Sequence, residues 1–117
     1  MKNHPSPARM AAFKALQNAI DGMPMVERDL LLDDRDQALF QQLYKGICRE
    51  WGFLQWILDS YSRKKPNDKI RILYAISAYS MLFLDKIPVH ANYSEMQKLV
   101  FSLKLSSFES KYLTGVL

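Results

Sequence analysis

Few side chains of this sequence are suited to covalent or metal chemistry. The chain has one cysteine, Cys48, and two histidines, His4 and His90. A tetrahedral metal site needs paired ligands a few residues apart, and a nucleophilic cysteine needs neighbours that lower its pKa. Cys48 instead lies on an apolar helical stripe, which predicts a buried and inert thiol. We therefore expect neither a metal site nor a catalytic residue in this chain.

Glycines and acids also lack the spacing of a cofactor or catalytic site. The four glycines stand alone in the sequence, so no phosphate-cradling loop is present. Asp33 and Asp36 have the spacing of residues that cap the start of a helix. The sequence therefore predicts no cofactor bound by this chain.

Basic residues are the side chains whose distribution does suggest a ligand. The net charge is only +4, but residues 63 to 71 hold five basic residues against one acid, whereas residues 21 to 36 hold six acids. Such segregation can build one basic face, which would attract a polyanion such as RNA. The alternative is that these charges belong to ordinary solvated helix ends and loops.

Aromatic side chains would complete an RNA site, because bases stack on exposed rings. Most aromatic residues here, among them Trp56 and Phe83, fall on apolar stripes and are predicted to be core. Tyr61, Tyr93 and Tyr112 are the better candidates for exposure, since Tyr61 adjoins a basic loop and the other two lie near predicted helix surfaces.

The elements that must position these residues are helices. Apolar residues recur at spacings of three and four almost throughout, and no segment alternates as a strand does. Ser6, Asp33 and Asn67 or Asp68 are predicted N-caps, and Gly52 marks a point where a long helix can bend or divide. Helical segments are predicted from Pro7 until Gly22 to Pro24, at Val26 to Leu32, from Asp34 to Trp51 with a continuation or a new helix from Phe53 to Tyr61, from Asn67 or Asp68 to Leu84, from Val89 to Leu103, and from Ser106 onward. The fold class is therefore all-α.

Length and composition indicate the number of domains and whether a segment could span a membrane. The 117 residues, 49% of them apolar, suit a single domain covering residues 1–117. The most apolar run, Ile72 to Leu84, would span only about 20 Å as a helix, against about 30 Å for a bilayer core.

A single cysteine permits no intrachain disulfide, which favours a cytoplasmic location. The last predicted helix ends on Val116 and Leu117 without a cap, so we expect an N-terminal domain of a longer protein.

Several blocks of the sequence resemble the NusB-like helical domain. The closest resemblance is to the N-terminal domain of bacterial small-subunit ribosomal RNA cytosine methyltransferases of the Sun, Fmu or RsmB type. The blocks that carry it are Arg9, Ala12 and Leu16, then Leu43 to Leu58, Ile70 to Leu73, Leu82 to Ala91, and Glu95. Two positions depart from the family pattern, Gln55 in place of an aspartate and Thr114 in place of an asparagine.

The resemblance implies a fold of two small helical bundles packed across each other, with six or seven helices. It also implies an RNA-binding accessory domain that helps to orient small-subunit ribosomal RNA. S-adenosylmethionine and the catalytic cysteines would then belong to a separate catalytic domain of the same polypeptide. The residues expected to contact phosphate, chosen from the family-like first helix and from the positions of basic residues, are Arg9, Lys14, Lys45, Arg49, Lys64 and Lys65.

Two other functions remain open at the level of the sequence. One is a free-standing NusB-type transcription antitermination factor, which would have a ribosomal protein as partner. The other is a protein-interaction module, in which the basic residues are ordinary surface and RNA affinity is negligible.

Overall fold

A computed structural model describes residues 6–24, 31–61, 66–84 and 89–104 of the chain. These residues form four α-helices, and the described ranges contain no strand. The helices are α1 (Pro7–Ile20), α2 (Asp34–Tyr61), α3 (Asp68–Phe83) and α4 (Val89–Ser102). The predicted all-α class is therefore confirmed.

Local capping explains where three of the helices begin. The Ser6 hydroxyl accepts a hydrogen bond from the Arg9 backbone N–H at 3.2 Å, and Pro7 occupies the first turn of α1. Asp33 Oδ1 accepts from the Asp36 N–H at 2.8 Å at the start of α2. Asn67 Oδ1 accepts from the Ile70 N–H at 2.9 Å at the start of α3. Each cap satisfies an N–H that has no partner inside its helix, and all three predicted caps are confirmed.

The core is organised around α3. This helix packs against each of the other three, and every residue from Ile72 to Ser80 is buried. A helix that is apolar on nearly all sides is stable in water only when neighbours cover it, so the predicted central position of α3 is confirmed. The largest fully buried side chains are Phe40, Leu43, Ile47, Leu54, Leu58, Ile72, Leu73, Ile76, Met96 and Leu99.

The expected count of six or seven helices is not met, because the described residues form four. One reason is that α2 continues without a break through Trp51 and Gly52. Glycine tolerates a helix end but does not require one, and the unbroken helix carries Leu54 and Leu58 into the core, where both are 0% exposed. Burial of these two side chains outweighs the cost of one glycine in a helix interior, about 1 kcal/mol.

The other expected helices fall largely outside the described residues. This applies to the last helix, residues 106–117, and to most of the short helix from Val26 to Leu32. The division into two small bundles therefore stays a prediction. The four described helices share one hydrophobic core.

The close contact between α2 and α3 depends on Gly46. A Cβ atom at this position would lie 2.8 Å from Cε1 of Tyr79 and still closer to its hydroxyl end. Tyr79 is buried and stacks on Phe83, with ring centroids 4.9 Å apart. Only glycine therefore leaves room for the tyrosine ring against the backbone of α2.

Candidate nucleic-acid interface

One side of α2 carries basic and aromatic side chains directed away from the core. Lys45, Arg49, Phe53 and Trp56 are all exposed and follow one another at spacings of three and four residues. On a helix this spacing aligns side chains on one face. We call these four residues the α2 outer face. At a rise of about 1.5 Å per residue they extend over about 17 Å of the helix.

The aromatic half of the α2 outer face is a stacked pair of rings. The centroids of Phe53 and Trp56 lie 6.5 Å apart, with ring planes inclined by 18°. Trp56 is 67% exposed and Phe53 is 47% exposed. The prediction that Trp56 is core is wrong, and Phe83 at the end of α3 is likewise exposed.

The prediction for Trp56 is wrong because α2 does not divide at Gly52. A division at Gly52 would have allowed the second half of the helix to rotate and bury the indole ring. In the unbroken helix, Leu54 and Leu58 continue the buried stripe of Ile47, which leaves Trp56 on the opposite side. If the helix is taken as continuous through Gly52, its apolar periodicity places Phe53 and Trp56 away from the buried side. The sequence alone could then have identified both as exposed.

The cationic half consists of Lys45 and Arg49. Lys45 has no ion pair with any residue in the described part of the chain. Arg49 Nε lies 3.5 Å from Glu50 Oε1, and the arginine side chain is 68% exposed. An ion pair so exposed to solvent is weak and screened by salt. Both cations are thus accessible to an anionic ligand.

The other predicted phosphate contacts are distributed differently. Lys14 is exposed on α1, so it lies on a separate helix from Lys45 and Arg49. Lys64 and Lys65 lie outside the described residues. The structure therefore brings two of the six predicted residues together on one helix face.

Arg9 occupies the interior between the first and last described helices. It is 6% exposed, its Nη2 donates to Asn92 Oδ1 at 3.3 Å, and its Nη1 lies 3.8 Å from Glu95 Oε1. The same Glu95 oxygen accepts from the Ser6 N–H at 2.7 Å, while Lys98 Nζ lies 3.2 Å from Glu95 Oε2. Burial lowers the pKa of the Arg9 guanidinium, an effect that the negative charge of Glu95 opposes. This position argues against direct contact between Arg9 and phosphate in the folded domain.

A shallow groove lies beside the α2 outer face, where the second half of α1 meets α2. It has a volume of about 250 Å³ and is lined by Leu16, Ala19, Ile20, Cys48 and Trp51. The Cys48 side chain is exposed, so its predicted burial is wrong. Neighbouring atoms nevertheless desolvate the sulfur and raise the pKa of the thiol. A thiol that ionises less readily agrees with the prediction of an unreactive cysteine.

The side chain of Gln55 links α2 to α3. Its Oε1 accepts a hydrogen bond from Arg71 Nη1 at 2.6 Å, and Asp59 Oδ1 accepts from Arg71 Nη2 at 3.1 Å. The Gln55 Nε2 group is buried and has no hydrogen-bond partner within the described ranges. The amide thus accepts from Arg71 and also places a buried donor there that a carboxylate would not have.

The described residues also lack a metal cluster and a membrane-spanning helix. No group of three or more histidine, cysteine, aspartate or glutamate side chains there is placed to hold a metal ion. None of the helices in those ranges combines the length and the apolar character needed to cross a bilayer.

Comparison with known proteins gives the class to which this helical domain belongs. The NusB family matches residues 6–117, nearly the whole chain, and this protein belongs to that family. Among particular relatives, ribosomal RNA small subunit methyltransferase B of Proteus mirabilis is 28% identical over 106 residues, which cover 82% of this chain and 24% of the relative. The protein of the same name from Cronobacter sakazakii is 28% identical over 89 residues, covering 74% of this chain and 20% of the relative.

The chain thus spans about a quarter or less of the length of these curated relatives. No solved structure matches the chain.

Proposed function

We propose that this domain binds small-subunit ribosomal RNA as a non-catalytic accessory domain of a ribosomal RNA methyltransferase. Membership of the NusB family and the two methyltransferase relatives support this assignment. Methyl transfer, with S-adenosylmethionine as donor, belongs in this proposal to a separate catalytic domain of the same cytoplasmic protein. The domain described here holds or orients the RNA for that catalytic domain.

The observation that carries the proposal is the pair of accessible cations on α2. Lys45 and Arg49 lie one helical turn apart on a face that the core does not use. Lysine and arginine that neutralise RNA phosphates release counterions, which makes the affinity depend steeply on salt. Lys14 on α1 is a third candidate contact because it too is exposed.

A titration of small-subunit ribosomal RNA at several salt concentrations tests the proposal. We expect Lys45→Gln and Arg49→Gln each to weaken binding and to flatten the plot of log affinity against log salt by about 0.7 to 0.9. Lys104→Gln is the matched control, because Lys104 is also exposed but follows α4. Negligible affinity of the unsubstituted domain at low salt would reject RNA binding and favour a protein-interaction module.

A free-standing antitermination factor is the second candidate, because NusB family membership supports it as well. That function requires a ribosomal-protein partner and preference for a short single-stranded RNA element. A pull-down that recovers a ribosomal protein with the isolated domain, together with tighter binding to such an element than to ribosomal RNA, would favour it over the methyltransferase assignment.

A further inference from the structure

The exposure of Phe53 and Trp56 needs an explanation other than folding. Both rings lie on the side of α2 opposite the buried Leu54 and Leu58. Single apolar residues on a surface are common, but clustered exposed aromatic surface generally marks a binding site. Here two stacked rings occupy adjacent positions on one helix face.

The neighbours of the rings indicate the chemistry of the ligand. Arg49 and Lys45 continue the same face toward the start of the helix. Lysine is depleted in protein–protein interfaces, where aromatic residues and arginine are enriched. A surface that joins aromatic faces to accessible lysine and arginine instead suits a ligand with both flat rings and negative charge, which is the composition of a nucleic-acid strand.

Gly52 places no side chain between the two halves of this face. It is exposed and lies between Arg49 and Trp56 along the helix. Among the described residues, no atom lies within 4 Å of the position that a Cβ would take at Gly52, its two chain neighbours and the backbone of the helix aside. A ligand that spans the cations and the rings therefore meets no side chain of residue 52.

We infer that Phe53 and Trp56 form a stacking platform for unpaired RNA bases, with Arg49 and Lys45 contacting the adjoining phosphates. The inference rests on the proposed RNA-binding function and specifies both its site and its preferred substrate. Bases within a duplex are stacked on one another and cannot offer their faces to side chains. The platform therefore selects single-stranded segments, such as loops or strand ends, over paired RNA.

Fluorescence anisotropy with an end-labelled, unstructured RNA oligonucleotide and its fully paired duplex tests the platform. Trp56→Ala is expected to weaken binding of the single strand by about 5- to 150-fold, the range measured for loss of one base–aromatic stack. The salt slope should be unchanged, because no phosphate contact is removed. Trp56→Phe should retain most of the affinity, since it keeps an aromatic face.

The chain offers a matched control in Phe101, which is 67% exposed, the same fraction as Trp56, but lies on α4. Phe101→Ala should bind both RNAs as the unsubstituted protein does. Replacements at such exposed positions usually change stability by less than about 0.5 kcal/mol, and circular dichroism will verify that each variant is folded.

The possible outcomes separate this inference from the function on which it rests. If the unsubstituted protein binds neither small-subunit ribosomal RNA nor these two RNAs, both are overturned. If it binds RNA but Trp56→Ala has unchanged affinity, or loses single-stranded and duplex binding equally, only the stacking platform is overturned.

Discussion

Cys48 shows how burial of only part of a residue can change its chemistry. Its side chain is exposed, yet burial around the sulfur raises the pKa of the thiol. Desolvation disfavours the charged thiolate, and the thiolate is the form that reacts with electrophiles. At a given pH below its raised pKa, the folded protein therefore contains less reactive thiolate than a free cysteine would.

We predict that iodoacetamide alkylates Cys48 in the folded protein, but with a rate–pH profile whose midpoint lies above that of an ordinary thiol. Mass spectrometry at a series of pH values measures the rate. The same chain unfolded in urea is the control, because its thiol is solvated and titrates normally. Complete protection of the folded thiol, or a midpoint below that of the unfolded chain, would contradict the structure.

At the scale of the helix, two glycines of α2 have opposite surroundings. Gly46 faces Tyr79 of α3 with no room for a Cβ, whereas a Cβ at Gly52 would contact no side chain of the described residues, those of its two chain neighbours aside. Alanine is a better helix former than glycine at both positions. Tertiary packing therefore decides whether alanine raises or lowers the free energy of unfolding at each position.

We predict that Gly52→Ala raises the free energy of unfolding by about 0.5–1 kcal/mol, through the lower conformational entropy of the unfolded chain. Gly46→Ala should lower it by about 1–3 kcal/mol, because the buried Tyr79 ring must shift. Urea denaturation of both variants measures the difference, with each serving as the control for the other. Equal stabilisation by the two substitutions would show that α2 and α3 do not approach as described.

At the scale of the whole molecule, Arg9 joins residues from opposite ends of the described chain. Its contacts with Asn92 and Glu95 link α1 to α4 across more than eighty residues of sequence. Glu95 also accepts from the backbone N–H of Ser6, next to the start of α1. Removing the Arg9 side chain would delete the buried hydrogen bond to Asn92 and one of the two cations beside Glu95, while Lys98 and the Ser6 N–H would still compensate the carboxylate.

We predict that Arg9→Ala lowers the free energy of unfolding by about 1–3 kcal/mol, because Asn92 Oδ1 loses its buried donor and the space of the arginine side chain is left unfilled. Lys14→Ala, which removes an exposed charge from the same helix, should change it by less than about 0.5 kcal/mol. Urea denaturation provides both values. Under conditions where Arg9→Ala stays folded, its salt slope for RNA should equal that of the unsubstituted protein. A flatter slope would restore Arg9 as a phosphate contact.

Local interactions explain how much of the fold could be predicted. Ser6, Asp33 and Asn67 cap backbone groups only three residues away, so short stretches of sequence contain all the information needed to place these helix starts. The apolar character of α3 on nearly all sides is equally local, and it indicated the central helix without knowledge of what surrounds it.

Long-range contacts explain what the sequence alone left open. Periodicity relates residues within one helix, but it does not say which side of that helix its neighbours cover. The burial of Arg9, the exposure of Cys48 and the close approach of Tyr79 to Gly46 all depend on how helices distant in sequence pack together. The sequence thus determined the all-α class, three helix starts, the central helix and the family resemblance, whereas tertiary packing decided which cations remain accessible to a ligand.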